Sequence, residues 1–238
     1  MPTKEPQAIV IAGASGEVGR QLVRLASTCV DVTVYALTRR VGVFKDNPAV
    51  CEILFNFEDP GAYDALFEKI PCHVLFLALG STLKQAGRAG VLRVERDYPI
   101  ALIDALAKHR PMARIGFVSS VGADSPVGYY LKAKADVEAH IMNSNLGCAI
   151  ARPSLLLGQR TGFRTAEMLI HKTVARPWIW ALQRVAPRSQ RAWRWAPVKV
   201  EDVAATLFHS TLELSDKQNI ILEGLDLRMD GLLSRVSQ

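Results

Sequence analysis

The stretch that decides the fold runs from residue 7 to residue 25 and reads Gln7-Ala-Ile-Val-Ile-Ala-Gly13-Ala-Ser-Gly16-Glu-Val-Gly19-Arg-Gln-Leu-Val-Arg-Leu25. Its apolar run, Ala8 to Ala12, is typical of a buried strand and is interrupted at Gly13. The apolar residues that follow recur at the spacing of one helical face, at Val18, Leu22 and Leu25. The stretch therefore predicts a strand, a tight turn and a helix, an arrangement that can bind a nucleotide.

Three glycines at intervals of three residues shape this turn. Gly13 would permit a backbone conformation closed to residues with a Cβ, Gly16 would let a pyrophosphate approach, and Gly19 would let the helix pack closely. The helix would then direct free N–H groups and the positive end of its dipole at the phosphates. The spacing differs from the usual G-x-G-x-x-G, so a purely structural turn is the alternative interpretation. The residues predicted to contact a dinucleotide here are Gly13, Ser15, Gly16, Glu17, Val18 and Gly19.

The size and composition of the chain suit one α/β domain. It has 238 residues, of which 49% are hydrophobic and 22% are charged, as in globular proteins. The polar start and the lack of any apolar run near the roughly 20 residues that span a bilayer predict a cytoplasmic protein. The four cysteines form no C-x-x-C pair and the histidines show no ligand spacing, so we expect no metal site. The net charge of +6 could reflect an anionic partner.

The second predicted strand, Val32 to Leu37, ends in Thr38-Arg39-Arg40. In the dinucleotide fold this strand end lies beside the adenosine ribose, where an acid binds the 2′-hydroxyl of NAD and an arginine binds the 2′-phosphate of NADP. A guanidinium can donate two hydrogen bonds to phosphate at once. Arg39 and Arg40 therefore favour NADP over NAD, although two solvated arginines in a surface loop remain the alternative.

Further strands continue the alternation of strand and helix that predicts a doubly wound, parallel, Rossmann-like sheet. They are expected at Cys51 to Phe55, His73 to Leu79, Arg114 to Val118, Cys148 to Arg152 and Asn219 to Leu222. Gly80 would let the backbone approach the cofactor. Residues 84–90 are interpreted as a connector that could instead be a mobile edge of the site. A helix is expected from Val91, with Val94 on its apolar face, and with a kink or a restart at Pro99 capped by Asp97.

A second informative stretch lies in the helix predicted after Pro126. Tyr130 and Lys134 are four residues apart and therefore share one helical face. A nearby ammonium would lower the pKa of the phenol toward working pH, and the phenol could exchange a proton with a carbonyl or alcohol oxygen. A hydroxyl from Ser119 or Ser120, at the end of the preceding strand, could bind the same oxygen. The pair alone would be common by chance, and Tyr129 lacks a lysine four residues on.

The order of these motifs resembles the short-chain dehydrogenase/reductase superfamily, in its atypical, single-domain branch. Within it, four segments look like the Tat-interacting oxidoreductase group and its bacterial relatives: Leu79-Gly-Ser-Thr82, Arg93-Val-Glu-Arg-Asp-Tyr98, Val118-Ser-Ser-Val-Gly-Ala-Asp124 and Tyr130-Leu-Lys-Ala-Lys134. The similarity runs from the first strand to about Pro153. Two positions depart from it, because Asn56 stands where an Asp is expected near the adenine and Pro99 interrupts a helix.

The resemblance implies a single NAD(P)-binding Rossmann domain over residues 1–238 that binds NADPH and reduces a carbonyl compound. It implies that Tyr130, Lys134 and Ser120 are catalytic, with Ser119 as the alternative hydroxyl. The implied cofactor-binding residues outside the glycine turn are Arg39, Arg40, Leu79, Gly80, Lys134 and Pro153. The group also includes members better known for regulation, so an NADPH-binding regulatory or scaffold protein with little turnover is the alternative function.

Residues 154–197 are expected to form a small helical insertion on the substrate side. All four tryptophans lie there, interleaved with arginines. The segment could cover the substrate, lie on an anionic membrane surface, or contact an acidic protein or nucleic acid through residues 160–195. No nucleic-acid-binding module is present, so specific nucleic-acid binding is not expected. The tail is expected to form a short strand, an Asp-capped helix from about residue 201 and a last helix from Asp226 to Val236.

Overall fold

In the computed structural model, the described residues are 7–81, 83–157, 184–185, 189–215 and 217–228. A parallel sheet of seven strands forms the centre of this part of the chain, in the order β3-β2-β1-β4-β5-β6-β9. Two further strands, β7 and β8, pair with each other. The strands are β1 (Gln7–Ala12), β2 (Val32–Thr38), β3 (Val50–Leu54), β4 (Cys72–Leu77), β5 (Arg114–Val118), β6 (Gly147–Ala151), β7 (Leu156–Leu157), β8 (Val198–Lys199) and β9 (Asn219–Leu222).

Helices cover both faces of the large sheet, as the sequence predicts. Their bounds are α1 (Glu17–Ser27), α2 (Pro60–Lys69), α3 (Leu83–Leu92), α4 (Tyr98–His109), α5 (Gly128–Asn143), α6 (Gln190–Trp193) and α7 (Val200–Leu212). Alternate side chains of β1 enter different cores, because successive residues of a strand point to opposite faces. Val10 packs in the core with α2, α4 and α5, and Ile9 and Ile11 pack in the core with α1 and α7.

The region between β4 and α4 differs from the expectation. Residues 84–90 are not a plain connector but belong to α3, which is kinked at Gly87, where φ is +63°. A π-helical turn, Arg93–Asp97, joins α3 to α4. The predicted interruption near Pro99 is therefore present, but Asp97 does not cap α4: its side chain accepts a hydrogen bond from Arg96 Nε at 2.8 Å instead.

Two expectations about the tail have different outcomes. The short strand β8 and helix α7 are present, but α7 begins at Val200, with Glu201 and Asp202 in its first turn rather than at the cap. The last helix, expected from Asp226 to Val236, lies mostly outside the described residues. A 3-10 turn, Gly224–Leu227, occupies its start.

The register of the sheet brings the predicted site residues to one edge. Ala12 pairs with Leu37 of β2 and with Leu77 of β4, and Val118 of β5 pairs with Ala151 of β6. The segments that follow these strands, 13–19, 39–40, 78–81, 119–120 and 152–153, therefore lie along the same carboxyl edge. Strand order reverses between β1 and β4, and ligands of such sheets bind in the crevice at that point.

Candidate functional site

The glycine turn has the geometry that the sequence predicts. Gly13 has φ +82°, and a Cβ there would lie 2.4 Å from the carbonyl oxygen of Ala78, at the end of β4. A Cβ on Gly19 would lie 2.1 Å from the carbonyl oxygen of Gly13. Both positions therefore require glycine, because any side chain would separate α1 from the turn or the turn from β4.

The turn also leaves the start of α1 open to a ligand. Gly16 is the N-cap residue and makes no side-chain capping bond, and Ser15 and Gly16 are exposed. Uncapped N–H groups at a helix start form a phosphate-binding site. Glu17 lies in the first turn of α1 and Val18 is buried beneath it. This donor set fits the pyrophosphate of a dinucleotide.

Arg39 and Arg40 follow β2, and both are exposed. The loop that carries them is anchored by partly buried hydrogen bonds: Thr38 Oγ1 donates to the carbonyl oxygen of Arg40 at 2.9 Å, and Glu52 Oε2 accepts from the Phe44 N–H at 2.9 Å. The bond from Phe44 is the first cause that lowers the pKa of Glu52. The two guanidiniums are therefore attached to a hydrogen-bonded strand end that lies beside β1.

Three predicted cofactor residues lie on the neighbouring strand ends. Leu79 and Gly80 follow β4, and Gly80 is exposed at the edge of the sheet. Pro153 is buried after β6, and its carbonyl oxygen accepts the Val121 N–H at 2.9 Å. Asn56, by contrast, turns its side chain back onto its own loop, where Oδ1 accepts the Glu58 N–H at 3.1 Å.

The structure brings Tyr130 and Ser120 together and separates Ser119 from them. Ser120 lies close enough to the Tyr130 hydroxyl to lower the pKa of the phenol, and its own hydroxyl donates to the carbonyl oxygen of Val121 at 3.4 Å. Ser119 is 3% exposed and donates its hydroxyl to Glu138 instead. Tyr129 points elsewhere, with the Arg88 guanidinium 5.1 Å from the centre of its ring. Of the two serines, Ser120 is the one placed to share a ligand atom with Tyr130.

Lys134 lies beneath this pair and is held by two acceptors. Its Nζ lies 2.8 Å from Glu95 Oε2 and donates to the carbonyl oxygen of Val118 at 2.9 Å. Both charged side chains are 3% exposed. The ammonium also lies 4.9 Å from the centre of the Phe117 ring. Lys134 is therefore a fully buried cation with a matched buried anion.

The expected effect of Lys134 on the pKa of Tyr130 is only partly correct. Among the groups of the chain, burial is the first cause and raises the pKa of Tyr130. Lys134 and Ser120 lower it, but Glu95 raises it, and the outcome is a pKa above the ordinary value. Although 37% of the tyrosine surface is exposed, the buried surroundings of its hydroxyl decide the direction. The expectation of a lowered pKa was wrong because burial of the hydroxyl, together with Glu95, outweighs the effect of Lys134.

A second buried ion pair lies one turn further along α5. Arg152 donates to Glu138 at 2.6 Å from Nη2 and at 3.1 Å and 3.2 Å from Nε. The hydrogen bond to Glu138 is the first cause that raises the pKa of Arg152. From there, charges alternate toward the surface: Glu223 lies 3.9 Å from Arg152 and 3.2 Å from Arg194, and Arg194 pairs with Asp124. Through Arg152, this network of charges joins β6 and α5 to the segment after β9.

The sequence reasoning missed Glu95 and Glu138, although both are within quoted stretches. Glu138 is four residues after Lys134, so helical spacing alone could have placed it on the same face. Glu95 had no such signal, because its position depends on the π-helical turn. A π turn is itself uncommon and occurs often at functional sites.

Most of the basic, tryptophan-rich segment lies outside the described residues. Of its tryptophans, Trp193 is 4% exposed and lies under the Arg228 guanidinium at 4.5 Å, whereas Trp195 is 59% exposed. One tryptophan therefore packs on the fold as the covering interpretation expects. The predictions for residues 158–183 and 186–188 lie outside the described residues.

Three other features could indicate a function among the described residues: a cavity, a metal-binding cluster and a membrane-spanning helix. An open cavity of about 500 Å³ lies between α2 and α4 and is lined by residues that include Phe57, Tyr63 and Tyr98, but not by Tyr130 or Lys134. No cluster of His, Cys, Asp or Glu that could hold a metal ion occurs in the part of the chain that the structure describes. Within the same ranges, none of the helices has the length and apolar character needed to cross a membrane.

Comparison with known proteins shows the family to which the chain belongs. The sequence matches the family described as NAD(P)H-binding over residues 13–175. Protein HTATIP2 of Rattus norvegicus is 31% identical over 171 residues, which cover 70% of this chain and 69% of that protein.

Two solved structures share the fold across nearly the whole chain. The oxidoreductase ylbE from Lactococcus lactis superposes with a TM-score of 0.66 at 20% identity, with 98% of each chain covered. ElxO with NADP bound superposes with a TM-score of 0.66 at 13% identity, covering 91% of this chain and 96% of that one. At such identities the likeness establishes the fold and leaves the reaction to be argued from the site.

Proposed function

Because the chain belongs to the NAD(P)H-binding family of Rossmann proteins, and is a homologue of HTATIP2, we propose that it is an NADPH-dependent reductase of a carbonyl compound. One observation supports the proposal: Lys134 of α5 donates to the carbonyl oxygen of Val118 at the end of β5, and Lys134 and Ser120 both lie close enough to the Tyr130 hydroxyl to act on its pKa. A proton donor, an oxygen-binding hydroxyl and a buried cation are what carbonyl reduction requires of the protein.

The preference for NADPH rests on the end of β2. Two arginines and no acid follow Thr38, and both guanidiniums are exposed on an anchored loop. A 2′-phosphate would gain charge-assisted hydrogen bonds from them, whereas a 2′-hydroxyl would find no carboxylate. NADP bound to ElxO, a protein of the same fold, is consistent with this preference.

Each residue of the site has one part in the reaction. NADPH, when bound, supplies the hydride that reduces the carbonyl carbon. Tyr130 would donate its hydroxyl proton to the carbonyl oxygen, since a phenol carries that proton at neutral pH. Ser120 donates a hydrogen bond to the same oxygen. Lys134 would hold the nicotinamide ribose with an N–H that is not directed at Val118 or Glu95, since an ammonium has three donors.

The cofactor assignment is tested by titrating the protein with NADPH and with NADH while following tryptophan fluorescence. We expect NADPH to bind more tightly, and the Arg39→Ala, Arg40→Ala double variant to remove the difference. Arg24→Ala is the matched control, because Arg24 is an exposed arginine of α1 that hydrogen-bonds Gln21. Equal binding of both nucleotides by the wild type would refute the NADPH preference.

The reaction is tested by screening carbonyl compounds for loss of NADPH absorbance. Tyr130→Phe should reduce turnover about a hundred- to ten-thousand-fold, the usual worth of a positioned proton donor, and leave NADPH affinity unchanged. Tyr129→Phe, the neighbouring tyrosine under Arg88, should behave as the wild type. NADPH binding without turnover of any compound would instead support the alternative, a regulatory or scaffold protein.

A further inference from the structure

Glu95 is an acidic side chain buried where the fold supplies no obvious need for one. It is 2% exposed and is the one buried residue of the π-helical turn Arg93–Asp97. Burying a carboxylate is costly unless it is paired and hydrogen-bonded. Its partners therefore show what the burial serves.

The two oxygens of Glu95 contact two different parts of the site. Oε1 accepts the backbone N–H of Ser81 at 2.8 Å, and Oε2 pairs with Lys134 Nζ at 2.8 Å. A Cβ built on Gly80 would lie 3.7 Å from Oε1, so the backbone after β4 runs alongside the carboxylate. One side chain thus connects the strand end that faces the cofactor with the lysine below Tyr130.

The charges around this pair come from three elements. Glu95 is the anion that acts on the Tyr130 hydroxyl, and Lys134 is the cation. The other charged groups of the packed elements turn away to different partners: Arg88 of α3 to Tyr129, Arg96 to Asp97, and Arg96 to Asp136 of α5. Among the described residues, the charges that act on the Tyr130 hydroxyl are therefore the buried carboxylate of Glu95 and the buried ammonium of Lys134.

We propose that Glu95 is a positioning residue of the site, which fixes Lys134 and the Gly80–Ser81 backbone in one geometry and balances the charge of Lys134 beside the Tyr130 hydroxyl. The proposal deepens the reductase assignment and rests on it, since it gives Tyr130 the part of proton donor. A lysine alone would favour the phenolate, which cannot donate a proton. The carboxylate offsets that cation while it holds the ammonium in place.

The test is an ultraviolet pH titration of the Tyr130 phenolate, which needs no turnover. The absorbance of each protein is compared with that of its own Tyr130→Phe partner, so that only Tyr130 contributes to the difference. In Glu95→Gln, which keeps an oxygen acceptor but removes the charge, we expect the pKa of Tyr130 to fall by about one pH unit. Asp136→Asn is the control, because it neutralises an exposed carboxylate of the same helix, α5, and should leave the titration of Tyr130 in place.

A second variant keeps the test decisive if Glu95→Gln fails to fold. Glu95→Asp keeps the charge, but its shorter side chain cannot contact both Ser81 and Lys134. We expect it to weaken NADPH binding several-fold while Tyr130 titrates close to the wild-type pH. Wild-type NADPH affinity in Glu95→Asp, or an unshifted Tyr130 in a folded Glu95→Gln, would overturn the proposal.

The two levels of assignment fail separately. Absence of carbonyl reduction by the wild type would refute the reductase function and, with it, the donor part given to Tyr130. An unshifted titration in Glu95→Gln would refute the part given to Glu95 and leave the reductase assignment standing.

Discussion

Helix α5 presents Tyr130, Lys134 and Glu138 at intervals of four residues, and the last two each meet a buried partner of opposite charge. Lys134 pairs with Glu95, with both side chains 3% exposed. Glu138 pairs with Arg152, with side-chain exposures of 8% and 12%. The two pairs lie on one helix face and are similarly buried. They differ in that α5 supplies the cation of the first pair and the anion of the second, and in the other contacts that each cation makes.

The difference is consistent with the proposal that the lysine pair serves the reaction and the arginine pair stabilises the fold. A lysine ammonium is a compact charge, and two acceptors leave one of its N–H groups for a ligand. An arginine guanidinium can donate two parallel N–H groups to a carboxylate. Arg152 donates to Glu138, and its remaining nitrogen lies near Glu223. The lysine pair therefore has an N–H group available to a ligand at the cofactor-binding edge of the sheet, and we call it the open pair. The arginine pair contacts only other residues of the chain, and we call it the closed pair.

The largest effect is expected from Glu138→Gln. Removing one partner of a buried pair leaves an uncompensated charge and typically costs about 3–5 kcal/mol, and Ser119 also loses its charged acceptor. Urea unfolding followed by tryptophan fluorescence should therefore show a much lower midpoint. Lys108→Met is the control, since its pair with Asp64 is 63% and 45% exposed and such pairs contribute about 1 kcal/mol or less. An unchanged midpoint in Glu138→Gln would show that the Glu138–Arg152 pair does not stabilise the fold.

A smaller effect is expected from Arg152→Lys, which keeps the charge and removes the fork. Arg152 makes three donor contacts to the two oxygens of Glu138, and an ammonium cannot reproduce that planar arrangement. Loss of a charge-assisted hydrogen bond costs about 1.5–3 kcal/mol, which urea unfolding resolves.

The matched control for that substitution is Arg96→Lys. Arg96 pairs with Asp97 at the surface, with side chains 37% and 45% exposed, so a change within about 0.5 kcal/mol is expected. Equal costs at the two positions would show that the fork geometry of Arg152 is not what stabilises the fold.

Much of the site could be predicted from the sequence because its geometry is local. The glycine turn, the arginines after β2 and the spacing of Tyr130 and Lys134 each depend on backbone periodicity or on the missing Cβ of glycine. The sheet then aligns these segments, since carboxyl ends of parallel strands meet at one edge. The choice between Ser119 and Ser120 was not local, because it depends on Glu138 drawing Ser119 inward.

Glu95 could not be predicted for a related reason. The helical spacing of Val91 and Val94 indicates one regular face, but the π turn adds a residue to the ladder and rotates the chain. It buries Glu95 and leaves Val94 half-buried. Lys134, the partner of Glu95, is 39 residues away in sequence. No local sequence pattern therefore predicts the pair or its effect on the pKa of Tyr130.

The smallest effect is expected at the outer end of the arginine network, from Asp124→Asn. The hydrogen bond with Arg194 is the first cause that lowers the pKa of Asp124 from 3.8, so this pair adds stability above that pH and loses it as pH falls through the lowered pKa. Because Asp124 is 36% exposed, solvent screening limits the contribution to about 1 kcal/mol or less at neutral pH. Thermal unfolding of both proteins should converge in acid, and also at high salt, which screens exposed pairs far more than buried ones. If salt instead removed the cost of Glu138→Gln as readily as that of Asp124→Asn, Arg152 would be solvated, and the contrast between its closed pair and the open pair of Lys134 would fail.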